Sequence, residues 1–437
     1  MATTDPTRPR WTASTWLTFV LAAWACSSPS NPPPPGGAEA DTDAAQTSEI
    51  VDNETAGGPG DGAALDAGAD AGAGAEATGQ VEDGTEQDAG KGKDGAGKDA
   101  AAKDTAPSAP VYTYVAAKCG DPPPTGQVLP TPAMPKKYAG TCPKFIADGK
   151  TSNVIQSSGN DRSFKLLVPP NIQPGEKLPV LFAWYWLKAS ANSFVEQGEL
   201  VTATTEQRFI AVVPESKNDI VIQIPFVKNS FSFPWPIVTL SPQSRFDEEY
   251  AFFDDMLSCV AEQYPIDNGC VSVAGVSAGA LFGAQLAGSR SEYFSSFISL
   301  SGGVQSSGIV NSFVPPWPPP AHKLPTLVLW GGPSDSCVLL NFQDASKALE
   351  TNLDQNGQFV VECEHNCQHG VPPIEPLPGE SKFAILWKFA WSHPYWLPVG
   401  ASPWAKGLPA GSPDWCAVGT GNAKIRSGAC DAPGCPM

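Results

Sequence analysis

The run CVSVAGVSAGALFGAQLA, at residues 270–287, carries most of the information about how this chain folds. An apolar segment typical of a buried strand leads into GVSAG at 275–279, and small residues that favour a helix follow. In a strand–turn–helix context the small residues of G-x-S-x-G let the helix pack against the strand while the serine stays accessible. The pattern predicts that Ser277 is a nucleophile and that the backbone N–H of Ala278 faces a developing oxyanion. An ordinary Gly/Ser turn is the alternative interpretation.

Strand-like and helix-like segments alternate on both sides of this turn. Strands are predicted at 163–168, 178–187, 209–213, 270–276, 297–300, 326–330 and 359–361, and helices at 247–264, 278–287, 345–353 and 382–392. Strands that alternate with helices favour a mostly parallel central sheet with helices on both faces. The sequence therefore predicts an α/β domain.

A serine nucleophile needs a base, and the base needs a carboxylate to orient it. On this scaffold the acid follows the serine in the chain and precedes the base. Asp335 ends the loop GGPSD at 331–335, directly after the predicted strand 326–330, and is the predicted acid. Asp344 and Asp354, beside or inside a predicted helix, are weaker candidates. A polar loop aspartate without a catalytic role is the remaining alternative.

The sequence contains four histidines, and their positions separate them. His322 precedes the acid and is out of order, whereas His393 ends an aromatic segment and is predicted to pack or to lie at the surface. His365 and His369 both follow a predicted strand. We predict His369 as the base, because Gly370 suits a loop that must approach the nucleophile closely. His365 is the alternate base.

Cys363, His365, Cys367 and His369 alternate along the chain, which raises the possibility of a metal site. In an extended segment these four side chains would spread over ~20 Å, which is too far for one ion. We therefore predict no metal site and no cofactor, and expect the cysteines to form disulfides instead.

Ten of the eleven cysteines follow residue 118, and this even number is compatible with five disulfides in an exported protein. If Asp335 and His369 meet, Cys337 and Cys367 are brought close, and these two form one predicted pair. Cys363 is the other candidate partner for Cys337. Cys259 and Cys270, on either side of a helix-to-strand turn, form a second predicted pair.

Three segments are predicted to serve packing rather than chemistry. The tail at 408–437 contains three cysteines and is interpreted as a stapled cap. The aromatic insertions FSFPWP at 231–236 and FVPPWPPP at 313–320 could stack on sugar rings or aromatic acyl groups near the rim of a site. Packing over the core is the favoured interpretation of both insertions.

Residues 1–26 are typical of an export signal. Arg8 and Arg10 precede a short apolar run that is too short to span a bilayer, and this run ends at Cys26. Small residues before a cysteine resemble a bacterial lipoprotein signal, so we predict lipidation at Cys26 and anchoring to a membrane, with the outer membrane expected in a Gram-negative cell. Ordinary cleavage followed by secretion, and an uncleaved apolar N-terminus, are the alternatives.

Residues 27–110 are predicted to form a disordered acidic tether. They contain 17 Asp and Glu against 4 Lys, and few large apolar side chains that could offset the entropy of ordering the chain. The folded domain is expected over 111–437, with its core at about 162–395 and a cysteine-containing tail at 396–437.

The formal net charge of −18 says little about partners. The segment 27–110 accounts for 4 − 17 = −13, which leaves −5 for the rest of the chain. The sequence contains no basic cluster, so it gives no support for nucleic-acid binding. A small-molecule or polymer-linked substrate is expected instead.

From about residue 162 to 391 the chain resembles the secreted α/β-hydrolases of the polyhydroxybutyrate depolymerase and feruloyl/acetylxylan esterase group. The shared features are an early strand that ends in VPP at 168–170, the GVSAG turn, the loop 331–335, and Cys363-x-His365 leading to His369-Gly370. The resemblance implies an α/β-hydrolase fold and ester hydrolysis through an acyl-serine intermediate.

The chain departs from these relatives after the third strand. They usually have His-Gly where this sequence has WYWLK at 184–188. Because a backbone N–H survives a change of side chain, Leu187 is predicted to supply the second oxyanion donor, with Trp186 as its alternative. The altered segment also motivates a non-catalytic surface binding protein as an alternative function. A serine peptidase on the same fold is the other alternative.

Overall fold

The computed structural model describes residues 114, 116–223, 230–431 and 434–435. The predicted export signal, the lipidation site Cys26 and the predicted tether lie outside the described residues. In the described part, no helix is long and apolar enough to cross a membrane.

The described chain is built around a nine-stranded sheet. Its strands are β1 Asp148–Ser157, β2 Asn160–Leu167, β3 Leu178–Trp184, β4 Ile210–Pro214, β7 Ile266–Val276, β8 Phe294–Leu300, β9 Thr326–Trp330, β12 Val360–Glu364 and β13 Cys416–Val418. They lie in the order β1-β2-β4-β3-β7-β8-β9-β12-β13. In this order the strands from β4 to β12 run parallel to one another, and antiparallel pairs flank them at both edges.

Two hairpins lie outside this sheet. They are formed by β5 Ile220–Gln223 with β6 Ser230–Phe233, and by β10 Ser336–Cys337 with β11 Leu340–Asn341. The helices are α1 Ala191–Gln197, α2 Leu200–Gln207, α3 Gln243–Gln263, α4 Ala278–Ser289, α5 Phe342–Gln355 and α6 Ala384–Trp391, with a short 3₁₀ turn at Asn311–Phe313.

The central strands are buried on both faces. Every residue of β4, β8 and β9 is buried. Because successive side chains of a strand point to opposite faces, burial of all of them means that both faces of the sheet are covered. The predicted α/β class, with a mostly parallel sheet between helices, is confirmed.

Element boundaries agree with the predictions to different degrees, and the strand predicted at 178–187 ends at Trp184. The strand at Thr326–Trp330 has the predicted limits. Helix α3 begins at Gln243, one turn before the predicted start at residue 247, so the acidic residues expected in its first turn lie further inside the helix. The polar strand β1, DGKTSNVIQS, was not predicted, because most of its side chains are exposed at the edge of the sheet and it has no apolar signature.

The described residues contain five disulfides, as the even number of cysteines suggests. They are Cys119–Cys270, Cys142–Cys259, Cys337–Cys435, Cys363–Cys416 and Cys367–Cys430. The predicted pairs Cys337–Cys367 and Cys259–Cys270 are therefore wrong. The alternative pairing of Cys337 with Cys363 is wrong as well. Five disulfides fit an extracytoplasmic, oxidising compartment.

The predicted pairs are wrong because the segment before β1 and the C-terminal tail pack against the core along paths that the sequence does not reveal. The segment before β1 lies against α3, where the amide of Tyr138 donates to Ser258 Oγ (2.9 Å) and the amide of Phe145 donates to Gln263 Oε1 (2.9 Å). This segment brings its own cysteines to Cys259 and Cys270. The tail does the same for the cysteines near the predicted acid and base.

Candidate active site

The turn at Ser277 has the geometry of a nucleophile elbow. It joins the end of β7 to the start of α4, and its backbone has φ 54° and ψ −119°, a conformation that L-residues rarely adopt. The amide of Ser277 donates to the carbonyl of Leu300 (2.9 Å), at the end of the neighbouring strand β8. The tertiary structure therefore holds the serine in a strained position at the carboxyl edge of the sheet.

Two glycines make this turn sterically possible. A Cβ atom at Gly275 would lie 2.3 Å from the carbonyl oxygen of Gly279, and a Cβ atom at Gly279 would lie 2.0 Å from the carbonyl oxygen of Trp184. Such contacts are far below van der Waals separation. The small residues of GVSAG are thus required by the close approach of α4 to β7 and β3.

The structure brings together the three residues that the sequence predicts as a triad. Ser277 Oγ lies 2.8 Å from His369 Nε2, and His369 Nδ1 lies 2.6 Å from Asp335 Oδ1. Both distances are within hydrogen-bonding range. All three side chains are buried, and Asp335 is completely inaccessible. The arrangement allows proton transfer from the hydroxyl to the imidazole.

The loop after β9 fixes the carboxylate of Asp335. Its Oδ2 accepts hydrogen bonds from the amide of Gly331 (2.8 Å) and from Ser301 Oγ (2.8 Å), which leaves Oδ1 for the imidazole. The competing candidates Asp344 and Asp354 are exposed on α5. Ser301 was not identified from the sequence, because it reaches Asp335 only after β8 and β9 pair.

The loop after β12 brings His369 to the serine. The backbone amide of Gln368 donates to the carbonyl of Gly331 (3.0 Å), and a Cβ atom at Gly331 would lie 1.6 Å from the backbone carbonyl oxygen of Gln368. The acid and base loops are therefore in direct contact. The ring of Phe342, the first residue of α5, stacks on His369 with 4.1 Å between centroids. Phe342 was also missed, since nothing in its local sequence indicates this contact.

His365, the alternate base, lies in a different environment. Its side chain is completely buried, its Nδ1 accepts a hydrogen bond from the amide of Cys367 (3.1 Å), and its ring meets the ring of Trp415 edge to face. Burial lowers the pKa of His365 to about 4. The hydrogen bond to Ser277 is made by His369, so the geometry favours His369 over His365 as the base.

The other two histidines are packing residues. His322 stacks on Tyr395 at 3.8 Å, and His393 is hydrogen-bonded to the carbonyl of Phe389 and to Ser402 Oγ, both at 2.7 Å. In the alternation considered as a metal site, Cys363 and Cys367 are both in disulfides, so neither offers a thiolate.

One of the two predicted oxyanion donors follows the serine in the chain, and the other lines the same cavity. Ala278 is the first residue of α4, and Leu187 lines the same cavity as Ser277. Neither amide donates a hydrogen bond to another residue in the part of the chain that the structure describes. A helix N-terminus and a free amide are groups that stabilise a negatively charged oxygen.

A cavity of about 410 Å³ opens at the serine. Among the residues that the structure describes, its walls contain no Asp, Glu, Lys or Arg, and most of its large side chains are apolar or aromatic. The lining residues are Trp186, Leu187, Phe194, Gln197, Gly198, Val276, Ser277, Leu300, Ser301, Leu329, Cys337, His369, Gly370, Val371, Pro372, Phe383, Leu386, Trp387, Gly434 and Cys435.

The aromatic insertions are not part of this lining, whereas the tail is. Trp235 is completely buried against Trp184 and donates its indole N–H to the carbonyl of Tyr185 (2.8 Å), and Trp317 is also buried. Packing, the favoured interpretation of both insertions, agrees with these contacts. The tail is stapled as predicted, but it is more than a cap, because Gly434 and Cys435 line the cavity.

Replacing Ser301 by alanine is expected to lower kcat by about 10- to 100-fold, because a hydrogen bond to a charged group contributes roughly 1.5–3 kcal/mol. Steady-state kinetics on a p-nitrophenyl ester would measure this loss. Ser299→Ala is the matched control: its hydroxyl lies on the same segment and, among the described residues, has no hydrogen-bond partner. Equal effects of the two substitutions would contradict a role for Ser301 in orienting Asp335.

Comparison with known proteins supports the fold. No protein-family model and no curated protein sequence matches the chain. Among solved structures, a pOPH variant in complex with DMSO gives a TM-score of 0.52 at 17% identity, over 67% of this chain and 99% of that chain. Native pOPH gives 0.50 at 16% identity, over 65% and 97%.

The acetyl xylan esterase from Aspergillus awamori aligns with 35% of this chain and 52% of its own, at 17% identity and a TM-score of 0.28, too low to support an argument. At such identities a structural likeness shows the fold alone. The α/β-hydrolase fold that the sequence resemblance implies is confirmed.

Proposed function

We propose that this protein is a serine hydrolase that cleaves carboxylic esters through an acyl-serine intermediate. The observation that supports this most strongly is the continuous hydrogen-bonded chain from Ser277 through His369 to Asp335 at a strained elbow. A buried hydroxyl, imidazole and carboxylate in this order are the components of nucleophilic catalysis by serine. The fold shared with pOPH agrees with the proposal, but the proposal rests on the geometry of the three residues.

In the proposed reaction, Ser277 Oγ attacks the carbonyl carbon of the ester while His369 Nε2 accepts the hydroxyl proton. Asp335 holds the imidazole in the required tautomer and stabilises the imidazolium that forms. The amides of Ala278 and Leu187 donate to the oxyanion. His369 then returns the proton to the leaving alkoxide, and the same steps with water as the nucleophile release the acid and restore the serine.

The cavity supports a neutral, apolar acyl group. A carboxylate or an ammonium group in the substrate would lose its hydration and meet no Asp, Glu, Lys or Arg among the described lining residues, which is strongly unfavourable. The aromatic rings of Trp186, Phe194 and Trp387 offer apolar surface instead. The proposed substrates are therefore esters whose acyl group carries no charge.

A panel of p-nitrophenyl esters and peptide p-nitroanilides tests the proposed reaction. We expect turnover of the uncharged acyl esters, and a kcat/KM on the peptides lower by at least about 100-fold, because the large side chains described around Ser277 are mostly apolar and offer few partners for the polar groups of a peptide backbone. Preference for the peptides would instead indicate the serine peptidase. Absence of turnover and of any acyl-enzyme in mass spectrometry would favour the non-catalytic binding protein, which the WYWLK segment motivates.

We also propose export of the protein and a lipid anchor at Cys26. The five disulfides support an extracytoplasmic location, and the residues before Cys26 resemble a lipoprotein signal. Labelled palmitate should be incorporated into the wild-type protein in bacterial cells and not into Cys26→Ser. Equal labelling of the two would contradict the anchor.

A further inference from the structure

The end of the described chain reaches the cavity. Gly434 and Cys435 line it together with Ser277 and His369. Cys435 forms a disulfide with Cys337, two residues after Asp335. The tail is thus part of the cavity wall and is bonded covalently beside the proposed acid.

The same tail also runs along the loop that carries the proposed base. A second disulfide joins Cys430 to Cys367, two residues before His369. The amide of Gly434 donates to the carbonyl of Cys367 (3.2 Å), and Asn366 Nδ2 donates to the carbonyl of Gly428 (2.8 Å). The tail is therefore held to the acid loop and the base loop at once.

The hairpin β10–β11, which carries Cys337, has a turn that its own sequence disfavours. The turn residues Val338 (φ 47°) and Leu339 (φ 69°) both adopt the left-handed conformation. Two-residue turns of this kind favour Asn-Gly, and a β-branched residue is strained there. Such strain persists only where surrounding contacts impose it. The disulfide to Cys435 and the paired hydrogen bonds between Asn311 and Asn341 are such contacts.

We propose that the C-terminal tail is a specificity-determining wall of the acyl site, held in place by the Cys337–Cys435 disulfide. This inference rests on the ester hydrolysis proposed above. With the tail in place, the cavity has a fixed end and limits the length of the acyl chain. Without the disulfide, the strained hairpin and the tail separate, and the cavity opens at that end. Longer acyl chains then fit.

The test compares two double variants, each lacking one disulfide. Cys337→Ser/Cys435→Ser releases the wall, and Cys142→Ser/Cys259→Ser is the matched control, because its disulfide joins the N-terminal segment to α3. The readout is the ratio of kcat/KM on p-nitrophenyl octanoate to that on p-nitrophenyl acetate. We expect the ratio to rise at least about tenfold in the wall variant, since single methylene groups in a pocket change rates by that order, and to stay unchanged in the control.

A ratio in the wall variant within about twofold of the control would overturn the inference. A second variant combines Cys337→Ser with deletion of residues 432–437, which keeps the Cys367–Cys430 disulfide, and should raise the ratio in the same way. If neither variant folds while the control does, the tail is a folding element and the inference is also overturned. Labelling by a fluorophosphonate separates the two proposals: a labelled protein with an unchanged ratio contradicts only the wall, whereas an unlabelled wild-type protein contradicts the hydrolase itself.

Discussion

Ser277→Ala is expected to reduce kcat on p-nitrophenyl acetate by about a million-fold, to the level left by binding and oxyanion stabilisation alone. The substitution removes the oxygen that is hydrogen-bonded to His369 Nε2 at the elbow. Initial rates at saturating substrate measure the effect. Ser299→Ala, at a buried serine of β8 whose hydroxyl has no partner among the described residues, is the control and should keep the wild-type rate.

The fold of the Ser277→Ala variant should be unaffected. Alanine retains the Cβ atom, and the elbow is fixed by the glycines on either side and by the hydrogen bond that the backbone amide of residue 277 donates to the carbonyl of Leu300, none of which involves the hydroxyl. Circular dichroism and urea unfolding should therefore superpose on those of the wild type. Persistent turnover by a folded Ser277→Ala protein would mean that another residue performs the chemistry.

His369→Ala should cause a loss of similar size, because the nucleophile and its base act as one unit and removing either disables both. His365→Ala is the matched control, four residues earlier in the same loop. His365 Nδ1 accepts a hydrogen bond from the backbone amide of Cys367, whereas the hydrogen bond to Ser277 is made by His369. The kcat of His365→Ala should therefore stay within one order of magnitude of the wild type. The opposite result, a large loss in His365→Ala alone, would make His365 the base.

The buried imidazole of His365 also makes the stability of the protein depend on pH. Burial lowers its pKa from 6.5 to about 4, so the folded state keeps the imidazole neutral while the unfolded state takes up a proton. The stability that this histidine contributes is therefore present above pH 6.5 and is lost as the pH falls towards 4. The full shift corresponds to roughly 3 kcal/mol. Urea unfolding at pH 7 and pH 4.5 should show a smaller acid-induced loss in His365→Gln than in the wild type, and equal losses would contradict the shift.

The fold was predictable where the signal lies in a continuous run of residues. The strand Thr326–Trp330 is fully buried and entirely apolar or β-branched, so its sequence and its environment agree. The elbow is predictable for a similar reason: a steric requirement of two close backbones selects small residues at fixed spacing. The exposed edge strand β1 offers no such run, and only pairing with β2 makes it a strand.

The candidate site was predictable as far as chain order and strand ends determine it. Ser277, Asp335 and His369 each follow a strand that the sequence reveals, and parallel strands bring their carboxyl ends to one edge of the sheet. Ser301 and Phe342 were missed because they act through contacts between segments far apart in the chain. The predicted disulfide pairs were wrong for the same reason. The segment before β1 and the tail have no hydrophobic periodicity from which their positions in the fold could be predicted.

Mass spectrometry of the protein after reaction with a fluorophosphonate tests the central claim most directly, because the reagent modifies a serine only where a base activates it. We predict one adduct per chain, on the peptide that contains Ser277, and none in Ser277→Ala or His369→Ala. An adduct on a different serine, or a folded wild-type protein that forms none, would contradict the assignment of Ser277 as an activated nucleophile.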